Sequence, residues 1–155
     1  ERLYLETTVA SYYTSRPSNN IIVLGKQRIT EQWWPQARKR FDIYISEAVI
    51  EEAGDGDPEA AKRRLSVLGK FPLLDIDEEV IKIYDIYIEQ LRIPQKALRD
   101  AVHLAVASVH GMDYLVTWNC THIANGEIIK KLIAVNSKIG ISIPVIVTPE
   151  ELMKG

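Results

Sequence analysis

Five short apolar runs, each separated from the next by a longer stretch with helical spacing, limit this chain more than any other feature. The runs are Leu3 to Leu5, Asp42 to Ser46, Pro72 to Asp75, Tyr114 to Thr117 and Ile141 to Val147. Each reads as a strand. Strands separated by helices cannot join through tight hairpins, so they pair in parallel, with helices on both faces of the sheet. The expected fold class is α/β: a three-layer α/β/α sandwich around a central, mostly parallel, five-stranded sheet. No repeat, low-complexity tract or linker interrupts the 155 residues, so 1–155 is expected to form a single domain.

The intervening stretches carry start and stop signals. Ile21 to Arg40 reads as a helix, with Ile22, Ile29 and Trp33 on one face and Pro35 expected to break or kink it. Glu47 to Ala53 is a short helix stopped by Gly54. Asp57-Pro58 pairs an N-cap with a first-turn proline, opening a helix that closes at Gly69. Asp77 caps a helix bearing Val80, Tyr84, Tyr87, Ile88 and Leu91 along one face, and Pro94 opens another that runs to His110 and stops at Gly111. Asn125 to Val135 reads as helical, and Thr148-Pro149-Glu150-Glu151 as a capping box that starts a final short helix.

Composition narrows the functional classes. With 46% hydrophobic and 26% charged residues the chain matches globular norms, against disordered or fibrous readings. Twenty-one acids against nineteen bases give a formal charge of −2, so any polyanion must be met by a local patch. Cys120 is the only cysteine, which excludes an internal disulfide and a cysteine-rich zinc cluster. No apolar run approaches the ~20 residues of a membrane span, and Glu1 to Leu5 enters a strand-like segment directly, without the regions of a signal peptide. A cytoplasmic protein with no membrane contact is expected.

In open parallel sheets, sites lie beyond the carboxyl ends of the strands, where the strand order reverses. Glu6 follows the first strand there, as a site residue or a helix cap. Asp100 falls inside the Pro94–His110 helix among apolar turns, where a carboxylate without a partner is costly; only Lys96 shares its face. Glu51 and Glu52 follow the second strand, and Glu52 is the one compatible with turning inward. Asn119 follows the fourth strand, as a cap or as a ligand to a hard cation. Carboxylates gathered at one edge oppose each other's ionisation unless a cation such as Mg²⁺ or Mn²⁺ joins them.

In order and placement, Tyr4-Leu5-Glu6-Thr7-Thr8-Val9, Ser46 to Glu52, Asp100 to Ala107, Leu115-Val116-Thr117-Trp118-Asn119 and Thr148 to Leu152 resemble a PIN domain, specifically the VapC-type toxins of toxin–antitoxin pairs. The resemblance covers nearly the whole chain. It implies an α/β/α sandwich that cleaves RNA with Mg²⁺ or Mn²⁺ held by acidic residues, a homodimer, and a small antitoxin partner that covers the acidic site. Position by position, Glu6 stands where the family has its first-strand aspartate, Glu52 matches the helix glutamate with Glu51 as rival, and Asp100 matches the central aspartate. Asn119 stands where an aspartate is common, and Thr8 and Thr117 match supporting hydroxyl residues. The implied metal ligands are Glu6, Glu52 and Asp100, with Asn119 completing the catalytic set. Two departures thin the site: Glu for Asp at position 6 lengthens the arm by about 1.5 Å, and Asn119 removes a charge.

Other readings are poorer. Cys120 and His122 have no orienting third group for a hydrolase, and a small core thiol is the simpler expectation. His103 and His110 lie seven residues apart, about 10.5 Å along a helix, too far to share an ion; His103 is expected to hydrogen-bond near Asp100. A phosphoacceptor receiver domain would want a lysine after the fifth strand, where Thr148 stands. The stronger alternative is a PIN-like domain without catalysis, acting as an RNA-binding or protein-interaction module. Arg38-Lys39-Arg40 and Lys62-Arg63-Arg64 are the densest basic clusters, read as solvated helix faces before RNA tracks. Trp33 and Trp34 could stack bases, although Trp33 fits a core or an interface better.

Overall fold

Leu3, Tyr4 and Leu5 are fully buried because their strand, β1 (Arg2–Leu5), lies at the centre of the sheet. The computed structural model describes residues 1–154. β1 is flanked by β2 (Asp42–Ser46) and β4 (Tyr114–Val116), and the edges are β3 (Leu73–Leu74) and β5 (Val145–Val147). The order is β3-β2-β1-β4-β5 and every neighbour is parallel, with Leu3 paired to Ile43 on one side and Tyr114 on the other. A strand covered on both faces must be apolar throughout, which explains the unbroken Leu-Tyr-Leu.

Among the described residues, seven α-helices connect the strands: α1 (Thr7–Thr14), α2 (Ile21–Arg40), α3 (Glu47–Ala53), α4 (Pro58–Leu68), α5 (Glu78–Gln90), α6 (Leu98–Val109) and α7 (Gly126–Ile139). The chain steps outward from β1 through β2 to β3, then crosses back to β4 and on to β5. Right-handed crossovers in opposite directions put α1–α4 on one face and α5–α7 on the other. Accordingly α1 packs against α2, α3 and α4, whereas α5 packs against α6 and α7. The order therefore reverses between β1 and β4, which opens the crevice at their carboxyl ends.

Several local expectations are corrected. Pro35 does not break α2, which is continuous to Arg40. Ile22 is largely exposed at the start of that helix, and only its later part, with Trp33, Trp34 and Ala37, enters the core. Trp34 stacks on Tyr13 with ring centroids 4.2 Å apart, so it has no free face for a base. The Pro94–His110 helix divides into a 3₁₀ turn, Gln95–Ala97, and α6. α7 extends past Val135 to Ile139, because its stop is Gly140, whose φ of 77° is the left-handed C-cap that glycine adopts without strain. The capping box instead closes a 3₁₀ turn, Glu150–Leu152, with Glu151 accepting from the Thr148 N–H at 2.9 Å.

The helices of the second face are tied by a buried polar junction. The Tyr87 hydroxyl donates to Asn136 Oδ1 at 2.5 Å, and Asn136 Nδ2 donates to Ser108 Oγ and to the Ser142 carbonyl. Truncating the amide orphans these groups out of reach of water. Asn136→Ala is expected to cost about 1–3 kcal/mol, read as a lower urea midpoint with an unchanged slope; an unmoved midpoint would mean that solvent takes the amide's place.

Candidate active site

Glu6 ends β1 as the N-cap of α1, with extended backbone (φ −81°, ψ 154°) and Oε2 accepting from the Thr8 N–H at 3.2 Å. Unlike an ordinary cap it is only 2% exposed. Its backbone N–H continues the ladder to the Val116 carbonyl, which carries the side chain into the crevice between β1 and β4. There Oε1 accepts from the hydroxyls of Thr8 and Thr117, the latter at 2.5 Å. Among the described residues no lysine or arginine pairs with it. Burial pushes its carboxyl above the usual range, against the opposing pull of His103, Thr117 and Thr8.

Glu52, on α3, turns towards the same crevice while Glu51 is exposed. Its Oε1 accepts from Thr7 Oγ1 at 3.0 Å and pairs with His103 Nε2. His103, fully buried on α6, meets the Tyr4 hydroxyl through Nδ1 at 2.7 Å, and Tyr4 in turn meets Ser46 Oγ at 2.7 Å. Burial works against the charged imidazole, but the Glu52 bond and the charges of Glu6, Glu52 and Asp100 outweigh it and raise its pKa. For Glu52, burial is likewise outweighed, chiefly by His103, and its pKa falls. The pair is thus ionic. With both imidazole nitrogens protonated, Nδ1 donates to Tyr4 and Tyr4 donates to Ser46. The Tyr4 hydroxyl keeps its proton because burial, aided by Glu6 and Glu52, raises its pKa strongly despite the Ser46 bond.

The carboxylates of Glu6 and Glu52 and a ring nitrogen of His103 lie within 4.8 Å of one another; His103, protonated on both nitrogens, holds Glu52 and leaves the two carboxylates as the ligand donors. Asp100 stands outside that group. It is the third residue of α6 rather than mid-helix, so the helix N-terminus favours its carboxylate, and Lys96 belongs to the preceding 3₁₀ turn instead of its face. Half-buried, it has a pKa raised by desolvation and held back by the nearby Asn119 amide and by the charges of His103 and His122. His103 therefore bonds Glu52 and Tyr4 rather than Asp100. Asn119 does act as a cap, through Oδ1 on the His122 N–H at 3.0 Å, but of its own turn; α7 is capped by Asn125.

The sequence reading missed Thr7, Tyr4 and Ser46. Tyr4 was the available signal: a hydroxyl on a strand buried on both faces must find a polar partner there. The basic clusters serve the scaffold: Arg40 donates to the Leu152 carbonyl, Arg63 to Thr14 and Arg64 to Ala53 and Asp55. His110 binds the Asp75 carbonyl, and Cys120, expected in the core, is exposed.

No family model matches the sequence, and no curated protein matches it. Among solved structures, the chain is similar to one in the crystal structure of VapBC2 from Rickettsia felis bound to a DNA fragment from their promoter. The TM-score is 0.59 at 16% identity, over 96% of this chain and 98% of the other. The likeness is one of fold. It agrees with the α/β sandwich expected from the strand pattern and with the PIN-like form that the resemblance implies. No helix of the described residues is long and apolar enough to cross a membrane.

A buried carboxylate paired with no lysine or arginine, beside a His103 already committed to Glu52, should weigh on stability. Glu6→Gln removes the charge and keeps partners, since the glutamine carbonyl can accept from Thr8 N–H and its amide can donate to the two hydroxyls. At neutral pH without divalent cations, this variant is expected to be more stable than the parent by on the order of 1 kcal/mol, because a hydrogen-bonded amide costs less to bury than a carboxylate. Thermal and urea melts check it, and a lower midpoint would contradict the argument.

Proposed function

We propose that this chain is a divalent-metal-dependent endoribonuclease that hydrolyses RNA phosphodiester bonds, and that it is the toxin of a toxin–antitoxin pair. The observation that carries the proposal is the convergence of Glu6, Glu52 and His103 at the reversal point of a VapC-like sheet, with Asp100 and Asn119 beside them. The donor set suits Mg²⁺ or Mn²⁺: carboxylate oxygens are hard ligands, and the buried Glu6 has no lysine or arginine paired with it among the described residues. Glu6 and Asp100 would anchor the ion, and Glu52 would take a second ion or orient a water. Once bound, such an ion supplies charge for the phosphoryl oxygens and a water of lowered pKa.

The protein's own groups do the positioning. Thr8 and Thr117 fix the Glu6 carboxylate from two sides, and Thr7 and His103 fix Glu52. His103 offsets one negative charge deep in the site, which leaves the outer, half-buried Asp100 and the neutral Asn119 facing the substrate side. Asn119 offers an amide that can hold a water or a substrate oxygen. RNA, in single-stranded or loop form, is the proposed substrate because a splayed strand lets a phosphate approach a recessed carboxylate cluster. An antitoxin partner belongs to the same reading, supported by the VapBC2 likeness, and a homodimer and a cytoplasmic location complete it.

Mn²⁺ is expected to bind the wild type in calorimetry and to raise its thermal midpoint by mass action. Both effects should be lost in Glu6→Gln and weakened in Asp100→Asn. With single-stranded RNA and Mn²⁺, Asp100→Asn should cleave about a hundred-fold or more slowly, since losing a ligand exceeds the 10–100-fold cost of losing a supporting group. Equal cleavage by both proteins, or none by either, would remove the nuclease reading, and failure to bind Mn²⁺ as well would leave the non-catalytic module.

A further inference from the structure

Beside the acidic cluster lies a small cavity of about 180 Å³ lined by Ala48, Glu51, Glu52, Ile76, Arg99 and Val102. It shares Glu52 with the candidate site, so whatever fills it lies next to the carboxylates. Its walls are mainly aliphatic, and its one cation is Arg99. The volume is below the 300–1,000 Å³ of sites for drug-sized ligands, which suits a single planar ring rather than a whole nucleotide.

Arg99 is held in place although its side chain is largely exposed. Its Nη1 lies 2.6 Å from Asp55 Oδ2. Asp55 sits on the turn after α3, and Arg64 anchors that turn by donating to the Ala53 carbonyl at 2.9 Å and the Asp55 carbonyl at 2.6 Å. One guanidinium N–H is thus committed, and the other four remain to face a ligand. Across the same lining, Glu51 offers an acceptor-only carboxylate with no ion pair of its own among the described residues. An exposed surface arginine ordinarily has many conformations, whereas this one is steered to the rim of an apolar cavity.

We propose that this cavity is a base-recognition subsite that selects guanine beside the phosphodiester being cut, with Arg99 reading the base edge and Asp55 positioning Arg99. The proposal rests on the ribonuclease reading and deepens it. A donor-only fork matches two adjacent acceptors, and guanine presents O6 and N7 in that arrangement. Adenine places an amino group beside N7, and cytosine also presents an amino group, so each would set donor against donor. Guanine alone adds two adjacent donors, N1–H and the N2 amino group, for a carboxylate such as Glu51. Ile76 and Val102 give its ring an apolar surface. Unpaired RNA bases splayed from their stack are commonly read in this way.

The test is equilibrium binding of labelled oligoribonucleotides that differ at one base, measured by fluorescence anisotropy in Ca²⁺, beside mapping of cleavage sites in a mixed-sequence RNA with Mn²⁺. The wild type should prefer the guanine oligonucleotide over the other three by about five- to a hundred-fold, the range of one good bidentate contact. Arg99→Ala should erase the preference. Arg99→Lys should also erase it while keeping most of the overall affinity, because it retains the charge and loses the fork. Asp55→Ala should weaken the preference with Arg99 still present. Circular dichroism and Mn²⁺ affinity, expected to be unchanged in Arg99→Ala, separate a reading role from damage to the site. Equal affinity of the wild type for all four bases, or a guanine preference that survives Arg99→Ala, overturns the proposal even if RNA is cut. Should the wild type fail to cut RNA, the nuclease reading fails, and the binding series still decides the subsite.

Discussion

A carboxylate held out of water at the end of a central strand must be met by a proton, a cation or a dense set of donors. Glu6 is in that position, and much of the molecule is arranged around it. The parallel sheet reverses its order between β1 and β4, so the residue after β1 is delivered into the crevice that those strands open. The last β1-side hydrogen bond, from the Glu6 N–H to Val116, fixes its height. Thr117, the first residue beyond β4, and Thr8, in the first turn of α1, close on it from two sides. Those hydroxyls are not spare: Thr8 Oγ1 also accepts from the Trp118 N–H, and Thr117 Oγ1 from the Asn119 N–H. The crevice loop is thereby built on the same two groups that hold the carboxylate.

The second carboxylate is handled differently. Glu52 comes from a helix on one face of the sheet and meets an imidazole from a helix on the other, and the His103–Glu52 pair bridges the layers over the strand ends. The chain of contacts continues through Tyr4 to Ser46, so a helix on each face, the central strand and its neighbour meet in one hydrogen-bonded line. A buried ionic pair of this kind gives little net stability beside a well-packed apolar substitute, but it fixes geometry strongly, because each partner stranded alone would be costly. For the proposed metal site, which would have to place oxygens, fixed geometry is what the pair contributes.

How much of this was legible follows from what each residue must satisfy locally. The strands, the parallel order and the position of Glu6 could be read because apolar alternation and chain connectivity decide them. The division of the Pro94–His110 helix could not be, since Pro94 signals a helix start whether the first turn is 3₁₀ or α, and that difference moved Asp100 from mid-helix to the first turn of α6. Pro35 misled for a related reason: packing of the later half of α2 outweighs one missing hydrogen bond. His103 could be placed beside Asp100 and expected to hydrogen-bond, but its partners could not be read. Helical spacing puts it one turn from Asp100, while those partners, Glu52 and Tyr4, lie 51 and 99 residues away in sequence. Contacts at such distances depend on the assembled layers, and no local pattern encodes them.

The two departures from the expected acidic set also fit together spatially. Glutamate at position 6 reaches about one bond further than aspartate, roughly 1.5 Å, and its carboxylate lies within 4.8 Å of Glu52 and His103. The concentrated negative charge therefore lies in the buried part of the crevice, where a buried imidazolium offsets it. After β4 Asn119 stands in place of another acid, so Asp100 meets a neutral amide and His122 there, with Glu52 the carboxylate that opposes its ionisation. A longer arm at one position and a neutral group at the other shift the balance in the same direction. They draw the anionic cluster deeper and leave its mouth less negative, which is the side from which a phosphate would have to approach.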